Sequence, residues 1–281
     1  MSRFICRVMA LFVLASPLAW AADLPPMVLA VHPYLPASEI QRRFAPLASH
    51  LGKLLQRKVD VRMGRDYEEH VEAIGANAVD IAFMGPSSYV TLSARYGKKP
   101  LLARIEVDGK PTLEGVIIVR ADAPLRSLDD LKGRRFAFGD RESTMSALVP
   151  RYMLQEAGVP LSKLAAHEYL GAHKNVALSV LSGDYDAGAV KREVFDELAP
   201  RGLRVLATMP TVSEHLFVTR SDLPPPQVEK LRQALLNLKA APEGKNIMQS
   251  INKGMTNMVP VADDNYQSLR AMMRALGVIP R

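Results

Sequence analysis

At 281 residues, 48% hydrophobic and 23% charged, the chain is too rich in apolar residues to be disordered and long enough for one large core or two ordinary ones. Its net charge of +7 comes from scattered basic residues (Arg42, Arg43, Lys98, Lys99, Arg134, Arg135), with aromatics at only 6%. That excludes the clustered basic face of a nucleic-acid reader, although a mildly positive field still attracts anions.

The first segment reads as a targeting sequence. Arg3 and Arg7 form a basic start, Val8–Leu18 an apolar run, and Ala19-Trp20-Ala21 the small residues a signal peptidase reads. Residues 1–22 are therefore expected to be a signal peptide cleaved near Ala21 or Ala22, and the run is too short to serve comfortably as a membrane anchor. Without Arg3 and Arg7 the charge becomes 34 basic against 29 acidic residues, or +5. The single cysteine, Cys6, lies inside this segment and before its apolar core, so it is no lipid-attachment site. The mature chain has neither thiol nor disulfide, which suits an oxidising periplasm.

Strand and helix patterns alternate after that, which predicts an α/β fold. Strands are expected at Met27–Val31, Val59–Met63, Val79–Met84, Leu101–Val107 and Leu113–Val119. Between them, helices are expected at Ile40–Leu55, with Phe44, Leu47 and Leu51 on one face, at Tyr67–Ile74, and at Ser87–Tyr96 behind Pro86. A polar, turn-rich stretch follows at Arg120–Asp130. The pattern then restarts with strand Arg135–Phe138, a helix ending near Gly158, a strand near Glu168–Leu170, helix Lys174–Leu181 and strand Tyr185–Val190. Strands Leu203–Thr208 and Leu216–Thr219 come next. Helices Pro226–Lys239, Pro242–Ile251 and Asp264–Leu276 finish the chain. A pattern that starts twice and ends in helices reads as one lobe inserted into another: an outer lobe of 24–118 and 213–281, and an inserted lobe of 119–212. The ligand of such an arrangement sits between the lobes.

No enzyme signature is present: no G-x-S-x-G, no P-loop and no H-E-x-x-H. The six histidines (His32, His50, His70, His167, His173, His215) show no tight metal-ligand spacing, so neither a metal nor another cofactor is expected. The most informative segment is GDRESTMSALVP, Gly139–Pro150, which follows a strand and opens toward a helix. Hydroxyls at Ser143, Thr144 and Ser146 there accompany backbone N–H groups that a first helical turn leaves unpaired, an arrangement that binds anions. The same residues also suit an ordinary N-cap, and Pro150 fits a helix that begins early and kinks or one that begins only there.

GDRESTMSALVP resembles the D-P-x-S-T-S-G-x-L-V-P signature of substrate-binding proteins for phosphonate, phosphite and phosphate ABC transporters. DYEEHVEAIGANAVDIAFMGPSSYV, GAHKNVALSVLSGDYDAGAV and PYLPASEIQRRFAPLASHL resemble three further blocks of that family, in order, over about residues 27–240. The resemblance implies a two-lobed periplasmic binding protein fold, type 2 like, with a hinge and an interlobe ligand cleft. It implies a phosphorus oxyanion held by Tyr67, Ser143, Thr144 and His173, with hydrogen bonds doing most of the recognition and no arginine or lysine required at the anion. Tyr67 could instead pack its ring on the lobe surface, and His173 could brace the following helix. Asp186 reads as a structural carboxylate. Glu193 lies where some aminophosphonate binders hold the ligand amine, and is equally a solvated helix residue.

The chain departs from the pattern at several places. Met145 replaces the third hydroxyl and Ser146 the glycine, with Ser146 a possible compensating donor. Met84 stands where an aromatic faces the ligand in aminophosphonate binders, and Glu214-His215 where many relatives have an aspartate. Met84 and Met145 suggest apolar walls beside the anion. The implied partners are the oxyanion and the membrane permease of an ABC importer, with a sensor histidine kinase as the alternative. No nucleic acid is implied, and the protein is expected to be a periplasmic monomer and not an enzyme.

Overall fold

A computed structural model describes residues 25–280. The expected signal segment lies outside the described residues. In chain order the elements are β1 (Met27–Val31), α1 (Ala37–Leu55), β2 (Val59–Met63), α2 (Tyr67–Gly75), β3 (Ile81–Met84), α3 (Pro86–Tyr96), β4 (Leu101–Val107), β5 (Thr112–Leu113) and β6 (Gly115–Arg120). They continue with β7 (Arg135–Phe138), α4 (Val149–Glu156), β8 (Ala166–Tyr169), α5 (His173–Ser182), β9 (Ala187–Lys191), α6 (Arg192–Leu198), β10 (Leu203–Thr208), β11 (Val212–Ser213) and β12 (Leu216–Thr219). The last are α7 (Pro225–Leu236), α8 (Gly244–Ile251), β13 (Met255–Val259) and α9 (Gln267–Ala275).

These elements build two mixed sheets and a two-stranded ribbon of β5 and β11. The first has the order β13-β4-β12-β3-β1-β2, with β1 parallel to both β2 and β3 and with β12 antiparallel to β3 and β4. The second has the order β10-β6-β9-β7-β8, with β7 parallel to β8 and β9. The fold is therefore a two-lobed α/β architecture. One face of the first sheet is covered by α1, whose Ile40, Phe44, Leu47 and Leu51 recur at helical spacing and are buried, together with Leu231 and Leu235 of α7 and Ile247 and Ile251 of α8. A second apolar layer, under α5, carries Val176, Ala177 and Val180 against Ile118 and Val190. The third layer runs continuously from the first sheet into the second, through Met84, Tyr89, Leu113, Met145, Phe136 and Val149, so the lobes share a core.

Three local features differ from the periodicity. The stretch expected as one strand at Leu113–Val119 divides at Glu114 into β5, which among the described residues pairs with β11 alone, and β6, which lies in the second sheet. The lobe boundary expected at 118/119 thus falls inside β6, and that expected at 212/213 falls inside β11. The edge strand β13 separates two of the final helices, where three helices in succession were expected; its Met255 and Met258 face inward, but Thr256 and Asn257 weaken the strand pattern. Helix α6 follows β9 directly, and its seven residues are too few to show a period.

Pro150 has a clear effect. Helical structure begins at Thr144 as a wide π-turn over Thr144–Leu148 and becomes α-helical at Val149. Pro150 has no N–H for the carbonyl of Ser146, and that carbonyl instead accepts from the amide of Gly139 at 2.9 Å.

Candidate functional site

Each of the six strand-to-helix connections β1–α1, β2–α2, β3–α3, β7–α4, β8–α5 and β9–α6 leaves the carboxyl end of its strand, the edge on which open α/β sheets hold ligands. All six reach one cavity of about 280 Å³ between the lobes. Its wall includes Pro36 before α1, Tyr67 at the start of α2, Gly85 before α3, Ser143 before the π-turn, Ala172 before α5 and Lys191 before α6. Residues at or just before six helical starts therefore line one space, and the positive end of a helix dipole lies at such a start. The amides of Thr144, Met145, His173 and Lys174 make no hydrogen bond to protein among the described residues, as first-turn donors do not.

The side chains add directed donors. The Ser143 hydroxyl accepts from the amide of Ser146 at 3.4 Å, which caps the turn and leaves its own proton free to be donated. His173 Nδ1 accepts from the amide of Lys191 at 3.1 Å, so the ring proton sits on Nε2, a donor. Burial pushes His173 down to about 3, with the nearby Lys191 and His215 adding to the effect, so the imidazole is neutral at physiological pH. Burial likewise raises the Tyr67 hydroxyl, with Asp140 and Glu142 adding to it, and keeps it a phenol. Met145 and Leu113, with Leu35 and Pro36, are apolar parts of the wall. Among the described residues no three of His, Cys, Asp and Glu gather as a metal site.

Residues 29–266 match the family described as "ABC transporter, phosphonate, periplasmic substrate-binding protein". The chain belongs to this family. Among curated relatives of the phosphonate-binding family, the phosphate-import protein PhnD of Mycolicibacterium smegmatis is 27% identical over 89% of this chain and 86% of its own length. The probable ABC transporter phosphite-binding protein PhnD1 of Prochlorococcus marinus is 23% identical, over 85% of this chain and 86% of that one. A crystal structure of PhnD1 from Prochlorococcus marinus in complex with methylphosphonate superposes with a TM-score of 0.79, covering 90% of this chain and 98% of that one at 23% identity. That likeness shows a shared fold.

Of the residues expected for this family, Tyr67, Ser143, Thr144 and His173 meet at the cavity. Thr144 is engaged across it: its hydroxyl donates to Ser87 Oγ at 3.0 Å and accepts from the amide of Ser87 at 3.1 Å, while Ser87 Oγ donates to the carbonyl of Glu142 at 2.6 Å. In this arrangement Thr144 offers an incoming anion its amide, not its hydroxyl proton. Ser146 is not in the wall. It is 0% exposed, and a β-carbon on Gly139 would lie 2.0 Å from its hydroxyl, so this serine packs against the end of β7 and does not replace the missing donor. Glu193 lines an adjoining cavity of about 410 Å³ that shares Tyr34, His173, Lys191 and His215 with the first. Met84, expected in the wall, is instead buried in the shared core.

Sequence reasoning missed His32, Tyr34, Ser87 and Lys191, and treated His215 only as a departure. The first four stand at the carboxyl end of a strand or just beyond, which is the signal that could have found them, whereas His215 directly precedes β12. His32 stacks on Tyr34 with ring centroids 4.7 Å apart and is held neutral mainly by burial. Lys191, directly after the DAGAV motif, brings a formal positive charge to the wall.

Proposed function

We propose that this protein captures a small phosphorus oxyanion, such as phosphate, phosphite or a small alkylphosphonate, in the periplasm and delivers it to the permease of an ABC importer. The observation that carries this reading is the convergence of six helical starts and the His173 Nε2–H donor on one cavity. Such a site stabilises negative charge with fixed dipoles and hydrogen bonds, and bonds to a charged oxygen are the stronger kind. A volume near 280 Å³, about nine waters' worth, suits a head group with a short substituent. The protein acts by binding and closing around its ligand; the hydrogen bonds between Ser87 and Thr144 support lobes that meet over an occupied site. It is exported on a cleaved signal peptide, and its inserted lobe runs from about Gly115 to Met209, as membership of the second sheet supports.

The ligand carries no essential amine. A buried ammonium needs a free carboxylate; Asp140, in the cavity wall, already accepts from the amide of Glu142 at 2.9 Å, while Glu214, paired with His215, and Glu193 belong to the adjoining space. The test is calorimetric titration of ligand-stripped protein with phosphate, phosphite, methylphosphonate and 2-aminoethylphosphonate in one buffer. One of the first three is expected to bind tightest. Tightest binding of the aminoethyl compound, lost on Glu193→Gln, would overturn the reading.

A further inference from the structure

The pair Glu214–His215 is built more tightly than a surface departure from a family pattern requires. Glu214 is 3% exposed and His215 6%. One carboxylate oxygen, Glu214 Oε2, lies 2.6 Å from His215 Nδ1 and 2.6 Å from the His215 amide. The carbonyl of Glu214 accepts from the hydroxyl of Tyr266 at 2.8 Å, and the carbonyl of His215 from the amide of Ile105 at 2.9 Å, so both residues are fixed from behind. A carboxylate can only accept, so Nδ1 carries the ring proton. Nε2 of the neutral ring is then a lone-pair acceptor. It has no hydrogen-bond partner among the described residues, and His215 is part of the cavity wall. A bare acceptor in the wall repels an unprotonated oxygen of an oxyanion and pairs with one that carries hydrogen.

Resting on the reading of the cavity as an oxyanion site, we propose that His215 is a ligand-contacting, specificity-determining residue whose Nε2 shares one proton with a ligand oxygen, so that the site takes hydrogen-bearing oxyanions. Glu214 is its positioning residue, fixing the tautomer. The charged and titratable groups facing His215 are Lys191 and Glu193 from the β9–α6 connection, His32 and Tyr34 beyond β1, and His173 at the start of α5. Arg104, on the neighbouring strand, is turned to Ser213. Burial first, then Lys191, holds His215 below its ordinary range, against the pull of Glu214. Burial works against the charge of Glu214, yet the His215 ring, its two N–H donors and Lys191 keep that carboxyl ionised.

Two ligands separate this from simple anion binding. Above its second ionisation methylphosphonate has lost its last oxygen-bound hydrogen, whereas phosphate keeps one as the hydrogen phosphate dianion. Titrations of the full-length mature protein in buffers of different ionisation enthalpy, at a pH above both ionisations, count the protons taken up. Methylphosphonate should bind with uptake of about one proton and phosphate with about none. Uptake should vanish in His215→Phe, and also in Glu214→Gln, where the side-chain amide can donate to Nδ1 and turn Nε2–H into a donor. Glu214→Gln keeps the imidazole and so guards against a His215 variant that fails to fold. Binding of methylphosphonate without uptake, equal uptake with phosphate, or uptake that survives His215→Phe would each overturn the role of His215 alone. If the wild-type protein binds neither ligand, the oxyanion reading falls and this inference falls with it.

Discussion

The Ser87–Thr144 contact makes a quantitative prediction about closure. Three hydrogen bonds run in one direction across the lobe boundary, from the Ser87 amide to the Thr144 hydroxyl, on to Ser87 Oγ, and on to the Glu142 carbonyl. Thr144→Val keeps the shape of the side chain, removes the first two bonds and leaves the buried Ser87 amide unpaired. At about 1 kcal/mol net per bond, and somewhat more for the orphaned donor, the closed arrangement should lose about 2–3 kcal/mol. The open form, whose groups meet water, should lose nothing. Affinity should therefore fall by roughly 30- to 150-fold, because apparent affinity scales with the population of the binding-competent form. Ser87→Ala removes the second and third bonds. The two substitutions share one bond, so a double-mutant cycle read by calorimetry should show a coupling of about 1 kcal/mol. Strictly additive losses would refute the reasoning and place the effect of Thr144 on the ligand itself.

Three further outcomes follow from the same site. Ser143→Ala should weaken oxyanion binding about ten- to a hundredfold while costing at most about 1 kcal/mol of stability, and a lowered melting temperature with unchanged affinity would mark Ser143 as a cap only. Burial, with Asp140 and Glu68 adding to it, pushes Glu142 up to about 7 from an ordinary 4.5. A raised acid favours the folded form while protonated, so stability should fall as pH rises from about 4.5 through 7, and Glu142→Gln should melt higher than wild type at pH 8 but not at pH 4. A melting difference that does not change with pH would remove that argument. N-terminal sequencing of exported protein should begin near Ala22 or Asp23, and recovery of Met1 would contradict the proposed cleavage.

Much of the architecture was legible because the strands are short, apolar and bounded by turn residues. Met27–Val31, Val59–Met63, Leu101–Val107, Arg135–Phe138, Leu203–Thr208 and Leu216–Thr219 are strands over those same residues. Elements that depend on neighbours for burial were not legible: β13 exists because β4 offers it an edge, and the division at Glu114 because β5 and β6 find different partners. In the site, Tyr67, Ser143, Thr144 and His173 could be placed through motifs. Ser87 could not be paired with Thr144, since 57 residues separate them in the chain. The fate of Ser146 rested on one carbonyl freed by Pro150 and one close approach of Gly139, neither of which leaves a periodic trace.

The segments that join the lobes cross as a ribbon of two residue pairs, Leu113 with Val212 and Thr112 with Ser213. Helix α9, packed on α3 and α4, adds a third tie that is not covalent. Paired straps bend readily and twist poorly, so the relative motion they allow is close to a single rotation. Leu113 lies in the cavity wall and His215 just past the ribbon, so a ligand held in that cavity would lie beside the axis of such a rotation. Near an axis the lever arm is short: a fraction of an ångström gained or lost there is multiplied in proportion to distance at the far rims of the lobes. A permease that gauges the spacing of those rims would therefore read, at enlarged scale, the size of whatever rests against the ribbon.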